Sequence, residues 1–139
     1  MTILIDSSVL VASVVPKDKY YQEAVRLLRS LAQDNEEQII PAPVLNELFY
    51  FASRELGYRY AVSAFANVQK VFKIEVLNSA DMLRMQQIMR RYADSKLDFA
   101  DTAIMAQAER LNITRVATFD HRDFEIFHPA HCDYLQLLP

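Results

Sequence analysis

The sequence predicts an α/β fold, a three-layer α/β/α sandwich around a central, mostly parallel sheet. Short apolar runs of strand length alternate along the chain with longer segments whose apolar residues recur at helical spacing. Residues suited to cap helices follow several of the runs. The 139 residues, 52% hydrophobic and 24% charged, match one ordinary domain spanning 1–139 with a sizeable core.

Thr2–Ile5 reads as a buried strand ending at Asp6, with Ser7 or Ser8 capping a helix through Val9–Val14. Tyr21–Leu31 places Ala24, Leu27, Leu28 and Leu31 on one helical face. Gln38–Ile40 is a second strand, ended by Pro41 and Pro43, which lead into a helix over Val44–Leu56 that Gly57 stops. A helix over Tyr58–Lys70 precedes an alternating strand, Phe72–Leu77, and Asn78 or Ser79 caps the next helix, to Tyr92. Leu97–Leu111 is a helix with a buried stripe of Leu97, Ala100, Ile104, Ala108 and Leu111, and Asn112 suits a left-handed cap. Arg115–Thr118 is a strand, and Tyr134–Leu138 supplies an edge strand.

Several function classes drop out early. The single glycine, Gly57, excludes the phosphate-cradling motifs GxGxxG and GxxxxGK[ST] and the GxSxG nucleophile elbow. The single cysteine, Cys132, excludes an internal disulfide and zinc sites built from paired cysteines. No run reaches the length of a membrane span and Met1–Ser13 lacks signal-peptide features, so a cytoplasmic protein without membrane contact is the simplest expectation. The net charge of −3 is unlike that of a nucleic-acid binder. Setting aside the five acids discussed next leaves 13 acids against 15 Lys and Arg, which permits such binding without arguing for it.

Those acids are Asp6, Glu47, Asp98, Asp101 and Asp120. Asp6 and Asp120 follow strands, where open α/β sheets bind ligands. Asp98 and Asp101, three apart on a helix, project from one face, although first-turn aspartates also serve the helix dipole. Glu47 lies among Val44, Leu48 and Phe51, where an unpaired carboxylate is costly. Each acid alone has a plain alternative as a cap or turn residue. As a set of hard oxygen donors the five suit Mg²⁺ or Mn²⁺, which would activate a water and stabilise charge growing on a phosphodiester. Ser8 and Thr118 can hydrogen-bond a ligand oxygen or simply end their elements.

With these residues on the page, the chain resembles PIN-domain ribonucleases of the VapC type, toxins of bacterial toxin–antitoxin pairs. The matching pieces are ILIDSSVLVA, PAPVLNELFY, YADSKLDFADTAIMAQAERL, RVATFDHRDFEIF and the terminal LQLLP, in order over nearly the whole chain. The resemblance implies that Asp6, Glu47, Asp101 and Asp120 are the metal-site acids, with Asp98 a frequent fifth. It implies Mg²⁺-dependent endonucleolytic cleavage of structured RNA leaving a 5′-phosphate, an antitoxin partner that blocks the site, and a homodimer. Asn46, Tyr21 and His128 depart from the pattern, where Thr or Ser, His and Arg are common.

Other readings are weaker. A haloacid-dehalogenase phosphatase needs an aspartate at position 8, which is serine, and a receiver domain needs a lysine after a late strand. A catalytically silent module of the same fold that binds RNA or protein remains the alternative. Asp123 and Asp94 are expected to cap or support rather than to ligate. His121, His128, His131 and Cys132 fit no zinc spacing. Phe49, Tyr50, Phe51, Tyr58 and Tyr60 suit either a partner groove or a two-sided core helix. Lys17, Lys19, Arg54, Lys96, Arg115 and Arg122 are candidate phosphate contacts.

Overall fold

The computed structural model describes residues 1–139, and its centre is β1 (Thr2–Ile5), whose Ile3, Leu4 and Ile5 are fully buried. A strand covered on both faces is apolar on both, so this run does not alternate. β2 (Glu37–Pro41) lies on one side, with Ile39 opposite Leu4, and β4 (Arg115–Ala117) on the other, with Val116 opposite Leu4. β3 (Lys73–Glu75) extends the sheet beyond β2, and β5 (Gln136–Leu138) beyond β4. All the pairings are parallel, in the order β3-β2-β1-β4-β5. The chain builds outward from β1 to β3, then returns to lay β4 on the other side, so the strand order reverses between β1 and β4.

Seven helices accompany the sheet. They are α1 (Ser7–Val14), α2 (Tyr21–Gln33), α3 (Ala42–Leu56), α4 (Tyr58–Val71), α5 (Ser79–Arg91), α6 (Phe99–Leu111) and the short α7 (Arg122–Ile126). The expected elements are all present; apart from the additional α7, the differences lie at their ends. Pro41 closes β2 and also stands at the N-cap of α3, so that helix begins at Ala42 and Pro43 sits in its first turn, where no amide donor is needed. β3 shortens to three residues. Neither Ser7 nor Ser8 is the cap of α1: Asp6 holds that position, and the serines are the first two helical residues.

The start of α6 differs in a way that matters for the site. Asp98 is its N-cap, accepting the Asp101 N–H at 2.8 Å, so Leu97 lies outside the helix. Every residue from Ala100 to Ala108 is buried, instead of a single stripe. Many of these are alanines, whose small side chains let neighbouring elements approach from all directions. Two arginine clamps tie α5 to α6. Arg110 donates from Nε and Nη2 to Asp81 at 2.7 and 2.9 Å, and Arg84 donates from Nε and Nη2 to Glu109 at 2.6 and 3.0 Å. Asn78 and Asp81 form a reciprocal capping box at the start of α5, and Asn112 ends α6 in the left-handed conformation.

Gly57 joins α3 to α4 at φ +94°, ψ 161°, a region essentially closed to other residues. A Cβ there would meet nothing within 4 Å, so the requirement is on the backbone and not on space. Gly57→Ala is therefore expected to lower stability by about 1–3 kcal/mol through backbone strain alone, read as a shift in the urea midpoint with an unchanged slope; an unshifted midpoint would show that the turn relaxes freely.

Candidate active site

Asp6 leaves β1 beside β4, its N–H bonded to Ala117 O at 2.9 Å, and only 2% of the residue is exposed. Two hydroxyls meet its carboxylate: Thr118 donates to Oδ2 at 2.8 Å and Ser8 to the same oxygen at 2.9 Å. Each hydroxyl oxygen also accepts a peptide N–H from the turn after β4, Ser8 from Phe119 at 2.9 Å and Thr118 from Asp120 at 3.0 Å. Ser8 and Thr118 thus lock the turn that carries Asp120 onto Asp6, and their protons are committed within the protein. Burial pushes Asp6 above the ordinary carboxylate range, and these hydroxyls partly offset it.

Asp6, Glu47, Asp98, Asp101 and Asp120 all line one cavity of about 640 Å³ at the carboxyl ends of β1 and β4. Asp101, 6% exposed, is pushed up to about 8, first by burial and then by Asp6, Asp98, Asp123 and Asp120 around it. Burial also raises Glu47, opposed by the Ser7 hydroxyl and reinforced by Asp98 and Asp6. Asp98 combines two duties, capping α6 through one oxygen and lining the cavity.

The structure also brings Asp123, expected to cap or support, close to two of these acids. Asp123, on the one-turn helix α7, brings a carboxylate oxygen into a group with Asp101 and Asp120 whose atoms all lie within 4.8 Å of one another. Its three-residue spacing from Asp120 was the available signal, but a turn of five residues shows no periodicity. Burial, followed by Asp120, raises Asp123 as well.

None of these six acids takes part in an ion pair, whereas the buried Asp81 and the half-buried Glu109 are each clamped by an arginine. Hard oxygen donors that repel one another and lack a basic partner fit a divalent cation. The histidines do not compete for one. His131 faces Ile113 O at 2.7 Å, His121 faces Thr118 O at 3.0 Å, and neither they nor Cys132 join a metal-sized group.

Lys17, Lys19 and Arg54 line the cavity; Lys96, Arg115 and Arg122 do not, and Arg115 instead pairs with Glu36 at 2.7 Å. The aromatic set is largely surface, with Tyr50, Tyr58 and Tyr60 exposed and Phe49 half-buried against Tyr58. Tyr60 also donates to Val14 O at 2.8 Å, joining α4 to α1.

A model of the PIN domain family matches residues 3–127. The chain belongs to the PIN domain family. No curated protein matches it in sequence. Among solved structures, this PIN domain superposes on VapC20 of Mycobacterium tuberculosis, a sarcin-ricin loop cleaving toxin, with a TM-score of 0.80 at 22% identity over 94% of this chain and 98% of that one. It superposes on VapBC2 of Rickettsia felis, bound to a promoter DNA fragment, with a TM-score of 0.71 at 18% identity over 99% and 97%. For FitAcB of Neisseria gonorrhoeae the TM-score is 0.70 at 20% identity over 99% and 96%. At these identities the likeness is one of fold. No helix of this PIN domain is long and apolar enough to cross a membrane.

The crowding of acids has a thermodynamic signature. Between the ordinary 3.8 and about 8, the folded chain keeps on Asp101 a proton that the unfolded chain has released, so stability falls as pH rises through that window. The melting temperature in EDTA is expected to drop between about pH 5 and about pH 8, and Asp101→Asn or added Mg²⁺ should remove most of the drop. A flat profile in EDTA would contradict the crowded carboxylates.

Proposed function

We propose that this PIN domain is a Mg²⁺- or Mn²⁺-dependent endoribonuclease, the toxin of a toxin–antitoxin pair. The observation that carries this reading is the convergence of acids without a basic partner in one cavity at the carboxyl ends of β1 and β4. Asp6, Glu47, Asp101 and Asp120 are the residues assigned to hold the cation; of these, Asp101 and Asp120 lie with Asp123 in a metal-sized group, and Asp6 and Glu47 line the same cavity. Such an ion supplies an activated water and offsets charge growing on a phosphodiester.

The chain's own contribution is preorganisation. Asp6 is fixed by two hydroxyls, Asp101 by a buried helix, and Asp120 by the turn that Ser8 and Thr118 hold. Asp101 would be the group to exchange its proton for the cation, because burial, and then the acids around it, hold that proton to about pH 8 in the free protein. Asp98 fastens the start of α6 and adds negative charge to the cavity wall.

RNA as substrate is supported by the fold shared with VapC20, a toxin that cleaves the sarcin-ricin loop. A cognate antitoxin is supported by the fold shared with the VapBC2 assembly and by the exposed aromatic residues of α3 and α4, which offer a partner an apolar surface. A homodimer belongs to the same reading and is measurable by light scattering.

The deciding experiment is cleavage of total cellular RNA by purified protein in Mg²⁺, Mn²⁺ and EDTA. Metal-dependent cuts with 5′-phosphate ends are expected, with Asp101→Asn and Asp120→Asn each reducing the rate by at least about 100-fold while remaining folded. Full activity of a folded Asp101→Asn protein would remove the site assignment. Absence of cutting by folded, metal-loaded wild type would favour a module that holds RNA or protein without cleaving it.

A further inference from the structure

Phe119, the residue before Asp120, stacks on Tyr20 with ring centres 4.6 Å apart and planes 17° from parallel, and Lys19 Nζ stands over the same Tyr20 ring, 5.0 Å from its centre. All three line the cavity that holds the acids. The loop that presents Lys19 is built rather than loose. Asp18 N–H bonds to Val15 O at 2.9 Å, Tyr20 N–H to Asp18 Oδ1 at 2.8 Å, and Tyr21 N–H to Asp18 O at 3.0 Å. Lys19 is therefore flanked by anchored residues and forms no ion pair. Of the other two cations at the cavity, Arg54 is spoken for by Glu55 at 3.0 Å and lies over Tyr50 and Phe51, and Lys17 has no ring beneath it.

A cavity floored by carboxylates repels a polyanion, so a nucleic-acid strand needs a fixed positive charge beside the acids. A lysine ammonium held over an aromatic face is such a charge, attracted to the ring yet still able to donate outward. We propose that Lys19, held by the Tyr20–Phe119 stack, is a positioning residue that grips an RNA backbone phosphate adjacent to the one presented to the acids. This inference rests on the ribonuclease reading for its substrate, and it is tested by binding, apart from cleavage.

The test uses Asp101→Asn protein in Mg²⁺ with a short fluorescein-labelled single-stranded oligoribonucleotide of mixed sequence, its affinity followed by anisotropy across a salt series. Each phosphate neutralised on a single strand contributes about 0.7 to the slope of log affinity against log salt. Adding Lys19→Met should flatten the slope by about that amount, and Tyr20→Leu should do the same without touching the charge. Lys19→Arg and Tyr20→Phe should keep the slope, as should Lys70→Met on the exposed side of α4. In the cleavage-competent protein, Lys19→Met should raise KM and leave kcat near the wild-type value. An unchanged slope in Lys19→Met, or no binding by folded protein, overturns the proposal. A Lys19-dependent slope in a protein that cuts no RNA would sustain the phosphate grip and sink the ribonuclease reading; cutting with an unaltered slope would do the reverse.

Discussion

Carboxylates brought together where water is scarce repel one another, and a fold that keeps them there without an ion-pair partner has to hold each one mechanically. Here the holding is done by backbone and by neutral hydroxyls. Asp6 continues the central strand by one more rung, its N–H bonded to Ala117 O. Asp101 rides on a helix buried over nine successive residues and has its own N–H tied to the Asp98 carboxylate. The adjacency of β1 and β4 follows from the same demand, since only neighbouring parallel strands deliver both of their carboxyl-end residues to one cavity.

The contrast with the rest of the molecule shows that arginine was available and was used elsewhere. Asp81, 1% exposed, receives two hydrogen bonds from Arg110, and Glu109 receives two from Arg84. Burying a carboxylate without such a partner is costly. Those clamps also fasten α5 to α6 and so steady the helix that carries Asp101. The arginine-clamped Asp81 and Glu109 stiffen the scaffold while the unpaired Asp6, Glu47, Asp98, Asp101 and Asp120 face the cavity, and that division of labour is invisible in a net charge of −3.

Much of this could be read from the sequence where a local rule acts alone. The apolar run before Asp6, the stop at Gly57 and the left-handed cap at Asn112 depend on a few neighbouring residues, and the structure has all three. The five acids of the sequence reading, all of which line the cavity, could be named because strand ends and helix starts converge in any open α/β sheet. What could not be read was settled by contacts between distant parts of the chain. Asp98 and Asp101 look alike in sequence, yet one is a cap and the other a buried side chain. Asp123 sits on a helix too short to announce itself. Ser8 and Thr118 resembled ordinary element ends because their shared partner, Asp6, is 112 positions from Thr118.

That last arrangement determines how much chemistry position 118 can lose. Thr118 Oγ1 carries a single hydrogen, directed to Asp6 at 2.8 Å, while its lone pairs take the Asp120 amide at 3.0 Å. Ser8 repeats the pattern between Asp6 and Phe119. The two acids are thus wired together through atoms that any hydroxyl residue supplies and that no isosteric hydrocarbon can. A serine at 118 preserves the circuit, and a valine of nearly the same shape opens it, so the identity of this site is carried at that position by one hydrogen atom and the oxygen that bears it.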